Sequence, residues 1–467
     1  MEPQRVTVLN GLNLKINPLQ LNPGEMIRCI NMETDYVGGK KKRPGYGTYQ
    51  AGSLGTTVTK MFTWRKNNGT QFWNYACAGG SLFYSTQGTG AWTICGGGTL
   101  TNGARPGNVD IQGTLMMIGD GTAATRHTTN GTSFTNTTSA PASNQFVDYQ
   151  NRVYAMGTLA LHWSVAGSPT DWSSADSSSI DLPGVGRPLY AVKSSDRVNV
   201  GKSGGNIYSY DGYNLYDLST NLAYSSPYSI GDVEGFKFGL NRLGYFGFNA
   251  NKPEIISNPI ERQIYNDRGS GITGGTFDLA PGIVHRYDYL CSVGTVTEDL
   301  TDETINNLIH RYDFQLDQWD NWDFANLPPA FGTFTDVDGN NQLLFGDNNG
   351  QTYVYGGTTT SDAGNSISSV MEFVIHAGAP ETKKRWEYLW FFTNPGNEAY
   401  AYVACVDAVN KRFKNYKKVG QLTDGFNEYR FEAQSSTLCF VKIVESSRNS
   451  RFQFNGFAYK FTPEPRR

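Results

Sequence analysis

Charge is scarce in this chain. Only 17% of its 467 residues are Asp, Glu, Lys or Arg, against about 25% in an average soluble domain. Neither sign prevails: 39 basic residues face 42 acidic ones, for a net charge of -3. That balance provides no global basic field to hold nucleic acid by neutralising its phosphates. Cysteine is equally sparse. The six thiols, Cys29, Cys77, Cys95, Cys291, Cys405 and Cys439, form no CxxC pair. A chain this long needs no disulfide framework, so they read as buried small apolar groups. No apolar run approaches the roughly 18 residues of a membrane span. Met1-Glu2-Pro3-Gln4-Arg5 leads into no apolar leader core, so neither an anchor nor a secretory signal is expected.

What is abundant is glycine and aromatic side chains. Glycine numbers 53, and 27 Tyr, 26 Phe and 9 Trp make 13% aromatics. Short strands joined by tight turns account for both, and a helical bundle or a disordered chain accounts for neither. The spacing of turn signals divides the chain into three regions. Residues 1–50 read as an extended N-terminal arm, with turns at Asn10-Gly11, Asn17-Pro18, Asn22-Pro23-Gly24 and Gly38-Gly39. Residues 51–360 carry short strands punctuated every eight to twelve residues or so. Val58 to Trp64, Gln71 to Ala76, Ser81 to Ser85 and Ala91 to Cys95 make one four-strand unit. Others open at Gly113 and Asp148, and the last spans Phe331 to Tyr355. Asn241-Arg242-Leu243-Gly244-Tyr245 rhymes with Asn151-Arg152-Val153-Tyr154 as a blade signature, and Trp163 and Trp172 are expected within one blade. Radial repetition of four-stranded sheets explains the pattern, and about 300 residues at ~45 per blade gives roughly seven blades. Beyond a polar linker at 358–366, residues 361–467 alternate over longer strands, about the size of a β-sandwich. The expectation is therefore all-β: a β-propeller of about six to eight blades, an extended N-terminal arm and a C-terminal β-sandwich.

Few residues point to chemistry. Gly201-Lys202-Ser203 resembles the end of a phosphate loop, but Asp196 stands where the first loop glycine is required. Asp336, Asp338 and Asn340 place oxygens at alternate positions as a calcium loop does, yet Asp347 occupies the twelfth position where a bidentate Glu belongs. A hairpin turn explains them equally well. Asp313, Asp317, Asp320 and Asp323 crowd one segment, as turn and blade packing rather than as a glycosidase pair. The histidines His127, His162, His285, His310 and His376 lack metal-ligand spacing. Neither a catalytic residue nor a cofactor is expected. Lys40-Lys41-Lys42-Arg43 is the longest basic run. It reads as a solvated turn before Pro44-Gly45, or as a contact with nucleic acid or an acidic partner.

Several short motifs together resemble a known family. Asn10-Gly11-Leu12-Asn13, Asn22-Pro23-Gly24-Glu25, Cys29-Ile30-Asn31-Met32 and Lys42-Arg43-Pro44-Gly45-Tyr46 are similar to the opening of bacteriophage tail propeller proteins. Leu161-His162-Trp163-Ser164, Pro169-Thr170-Asp171-Trp172 and Asn455-Gly456-Phe457-Ala458-Tyr459 fit the same picture. The family is that of the tail nozzle (tail tube B, or stabilisation) proteins of short-tailed phages. The resemblance implies a structural virion protein made in the host cytoplasm. It would form a homo-oligomeric ring, commonly of six copies, below the portal and adaptor proteins. Double-stranded DNA would pass through the ring, and tail fibres or spikes would attach outside. Gly11, Leu12, Asn13 and Lys40 to Arg43 would belong to an arm that orders only against a neighbour. A glycan-binding or glycan-cleaving propeller is the alternative.

Overall fold

The computed structural model describes residues 2–464, apart from 17–19, 36, 87–88, 195, 220, 234, 249–252, 265–270, 273, 299–302, 337–339, 376–381, 395–397, 408–414, 433 and 449–450. The fold is all-β, and its central part is a β-propeller. Six blades stand as separate four-stranded sheets among the described residues. They are blade 1 (58–99), blade 2 (107–136), blade 3 (146–181), blade 4 (188–219), blade 5 (231–255) and blade 7 (330–355), the last completed by Tyr46–Thr48. Between blades 5 and 7 lies a further four-stranded meander, blade 6 (282–323), which belongs to a larger sheet.

Tight turns make the meanders. In blade 1 the strands Phe72–Ala78 and Ser81–Thr86 are joined by Gly79 and Gly80 alone, with φ of 56° and 75°. In blade 3 Gln150 and Asn151 do the same between Tyr149 and Arg152, with φ of 48° and 60°. Two successive left-handed residues are what a two-residue hairpin turn of matching twist requires. Alternation along each strand then gives every blade two apolar faces. Met116 and Ile118 of blade 2 pack with Trp64 and Tyr75 of blade 1. Leu115 and Met117 of the same strand pack with Phe146 and Val153 of blade 3. The ring closes where Ala330, Phe334 and Leu344 of blade 7 meet Val58 and Met61 of blade 1.

The signature residues have different places than their rhyme suggests. Trp163 and Trp172 both belong to blade 3 but face opposite neighbours. Trp163 stacks on Tyr210 of blade 4 at 5.7 Å, while Trp172 packs with Val109 and Met117 of blade 2. Asn151 is a turn residue, whereas Asn241 ends a strand and pairs with Gly244 across the Arg242-Leu243 turn. The two motifs are therefore two positions out of register, and their likeness is of sequence only.

Beyond the propeller, two sheets pack face to face. One continues blade 6 from Gln318–Asp323 through Met26–Ile30 to Ser369–Ile375, Leu438–Glu445, Ala399–Val406 and Lys417–Gln421. The other contains Met32–Thr34, Lys40–Lys42, Gln453–Pro463, Lys384–Asn394 and Gly425–Arg430, flanked by Gln4–Val6 and Ser435–Ser436. Met371, Phe373 and Ile443 of the first meet Phe391, Phe454 and Phe457 of the second, with Phe373 and Phe457 rings 5.3 Å apart. The strand Gln453–Pro463 runs through Thr462 and Pro463 beside Arg385 and Lys384, although the closing prolines suggest an earlier end.

The first fifty residues correct the expectation most. They supply strands to both outer sheets and the fourth strand of blade 7. Leu9, Leu12, Leu14, Leu21, Met26, Ile27, Ile30 and Met32 are all buried within the same chain. Turn-rich sequence hides this because each buried group finds its partner hundreds of positions away. The segment is core, not a free arm.

Candidate functional site at the propeller junction

The basic run lies where propeller and outer sheets join, and three of its four cations are buried there. Alternation in Lys40–Lys42 turns the first and third side chains inward and leaves only Lys41 outside. Lys40 is fully buried, and its Nζ donates to Asp320 Oδ1 at 2.7 Å and to Thr34 Oγ1 at 2.6 Å. The other Asp320 oxygen accepts from Arg311 at 2.9 Å, and Arg311 also pairs with Asp288 at 2.7 Å and Asp313 at 3.2 Å. Lys42 meets Glu445 at 2.7 Å and donates to the Ser447 carbonyl at 2.6 Å. Arg43 grips Asp362 with two hydrogen bonds of 2.9 and 2.6 Å. It also donates to Asn31 Oδ1 at 2.7 Å and lies 4.4 Å over the Phe324 ring. Three positive charges are thus cancelled inside the molecule, each with further hydrogen bonds, as buried ion pairs require.

Asp362, and the part Asn31 plays at the junction, escape sequence reading. Asp362 sits in the stretch taken for a linker, and Asn31 has φ of 58° with both Arg43 and the Asp323 amide on its Oδ1. The Asn-x-Met and Arg-Pro-Gly spacing around them was the available signal. Glycine identity has a steric cause nearby. A Cβ on Gly11 would lie 2.6 Å from the Trp319 carbonyl, and one on Gly45 would lie 2.1 Å from that of Ser361. Leu12 is held by its amide on the Trp319 carbonyl at 2.8 Å, and Asn13 donates to Glu25 at 2.9 Å.

Electrostatics follow from burial. Burial pushes the Asp288 carboxyl up to about 7, and Arg311 offsets only part of that rise. Burial works against the Arg43 charge, but Asp362 more than restores it and holds the guanidinium above its usual range. Burial lowers His285 to about 4, aided by neighbouring Arg286, and lowers His310 to about 3. His310 accepts or donates at Nδ1 with Tyr245 Oη, 2.8 Å away, in the core. The junction opens to a cavity of about 480 Å³ bordered by Lys41, His285, Arg286, Asp288 and Arg451.

The remaining candidates are placed separately. Asp336 accepts hydrogen bonds from the Asn340 amide and side chain at 2.8 and 3.1 Å and from Gln342 at 3.0 Å, which is hairpin chemistry. Asp338 and His376 lie outside the described residues. Among the described residues no group of three His, Cys, Asp or Glu side chains is arranged to hold a metal ion. Asp317 accepts from Tyr312 at 2.8 Å in the turn that follows Asp313. Arg152 pairs with Asp176 at 2.7 Å on the outside of blade 3, and Tyr154 is buried towards blade 4. No helix among the described residues is long and apolar enough to cross a membrane.

No protein-family model matches the chain, and no curated protein matches it. Solved structures are similar in fold. YCF48 from Cyanidioschyzon merolae is 10% identical, covers 67% of this chain and 98% of its own, and has a TM-score of 0.42. BamB from Moraxella catarrhalis is 12% identical over 76% of this chain and 98% of its own, with a TM-score of 0.39. At these identities the likeness is one of fold, and no activity or partner follows from it.

Proposed function

We propose that this chain is a structural protein of a short-tailed bacteriophage tail, a nozzle subunit without catalytic activity. In this reading several copies, six by preference, form a ring below the portal and adaptor proteins. The ring conducts double-stranded DNA during ejection and anchors fibres or spikes on its outside. The observation that supports this reading is what the family-like opening motifs do. Gly11, Asn31, Arg43 and Gly45 each occupy a position in the junction that another residue would disturb. These motifs fasten a body together, as a mechanical part needs. The charge pattern agrees. With Lys40, Lys42 and Arg43 neutralised internally, the basic run offers passing DNA no strong phosphate grip.

The test is immunogold electron microscopy of phage particles from the source of the chain, with antibodies raised against the purified protein. Label confined to the tail is expected. Particles without tail label, together with release of reducing sugar from envelope glycans by the purified chain, would replace this reading with the glycan-cleaving one.

A further inference from the structure

A cavity of about 680 Å³ opens between blades 4 and 5, away from the junction. Two stretches that the sequence singles out meet on its wall: the turn at Lys202-Ser203 and the hairpin at Asn241-Arg242. Lys202 is buried, and its ammonium donates to the carbonyls of Leu182, Pro183 and Gly184 at 3.0, 2.8 and 2.7 Å. Among the described residues no carboxylate pairs with it. Arg187 and Arg242 line the same cavity and are exposed. Behind the wall, Arg105 lies 5.1 Å over the Tyr228 ring and donates to the Leu279 carbonyl. Burial holds its guanidinium below the usual range. Among the described residues none of these four cations pairs with a carboxylate, and Asp278 is the one acid on the lining.

In a chain whose acids outnumber its bases, three lining cations with a fourth behind the wall, against one acid, form a local excess. Cations gathered at a partly desolvated wall without counter-ions raise one another's cost, and a bound anion relieves it through charge-assisted hydrogen bonds. The rest of the lining suits more than a bare anion. Asn144, Asn221 and Ser225 offer donors and acceptors, and the half-buried Tyr228 ring offers apolar wall. The volume falls within the roughly 300–1,000 Å³ of small-molecule sites. Hydroxyls along a ring, together with one negative group, match this mixture. We propose that the cleft between blades 4 and 5 binds an anionic sugar unit, with Arg187 and Arg242 on its carboxylate or phosphate and the amides on its hydroxyls. The site is independent of the nozzle reading and stands or falls separately.

Calorimetric titration of the full chain tests it, with sialyllactose, glucose 1-phosphate, lactose and inorganic phosphate as probes. Saturable binding of sialyllactose or of glucose 1-phosphate is expected, and the tighter of the two tells carboxylate from phosphate. Lactose and inorganic phosphate should each bind at least about tenfold more weakly than that sugar, the worth of one good ionic contact. Arg187→Ala and Arg242→Ala should each weaken it by about tenfold, with melting temperature unchanged because both side chains are exposed. Saturation by none of the probes would overturn the proposal. So would lactose or inorganic phosphate matching the anionic sugars, or affinities untouched in the two arginine variants.

Discussion

The blades and the first fifty residues are built from similar short, turn-rich sequence, yet they hold together in opposite ways. A blade pairs each strand with the next one in the chain, so Gly79-Gly80 or Gln150-Asn151 suffices to set its register. The opening segment makes one small hairpin and a few contacts within itself, but its strands find their sheets far along the chain. Met26–Ile30 lies between blade 6 and Ser369–Ile375, Lys40–Lys42 runs beside Gln453–Pro463, and Tyr46–Thr48 closes blade 7. The difference teaches where cooperativity comes from. The ring is a set of local units, and the opening segment converts that set and the outer sheets into one body.

Removing residues 1–45 should give the largest effect. Eight large apolar side chains leave the core with them, at roughly 1.5–3 kcal/mol each, against a whole-protein stability of about 5–15 kcal/mol. The truncated chain should lose cooperative thermal unfolding and be digested rapidly by protease. A truncated protein that melts sharply would restore the picture of a free arm. Next comes Arg43→Ala, which strands Asp362 in the core and should cost about 3–5 kcal/mol in denaturant titration. Arg152→Ala, at an open ion pair on blade 3, should move the same midpoint far less.

These outcomes bear on what the sequence could reveal. Blade 1 was legible almost strand for strand, because its turns carry Asn-Gly or Gly-Gly signals and its strands alternate. The longer strands within 361–467 were legible from their alternation. The opening segment was not, since Lys40, Lys42 and Arg43 read as solvated charge until Asp320, Glu445 and Asp362 are brought to them across the fold. Period-2 patterning says which side chains share a face, but it cannot say which distant sheet that face joins. The blade 3 and blade 5 likeness failed for a related reason: Asn, Arg and Tyr recur in hairpins, while their register is set by the turn. The cleft between blades 4 and 5 joins residues from several separate segments, and only the fold gathers them.

A smaller contrast sharpens the same comparison with glycines two positions apart. Gly45→Ala pushes a Cβ against the Ser361 backbone and should destabilise by about 1–3 kcal/mol. At Gly47 nothing lies within 4 Å of a built Cβ, so Gly47→Ala should stay within about 0.5 kcal/mol. The remaining prediction is a pH effect at the junction. Asp288 in the folded protein keeps its proton up to about 7, whereas the unfolded chain releases it near pH 4. The native state therefore binds the extra proton in that window, and stability falls as pH rises from about 4 towards 7. Asp288→Asn removes this term, so melting temperature across that range should fall less steeply with pH than in the parent. Equal slopes would mean that Asp288 titrates normally.

Native-state hydrogen exchange puts the central claim, that the opening segment is as integral as any blade, to the most direct test. The amides of Leu12, Asn31, Lys42 and Tyr46, bonded to Trp319, Asn321, Phe452 and Ser361, should exchange as slowly as those of Tyr75 and Val153 in blades 1 and 3. Exchange of the first four at the rate of an unstructured chain, with the blades still protected, would contradict it.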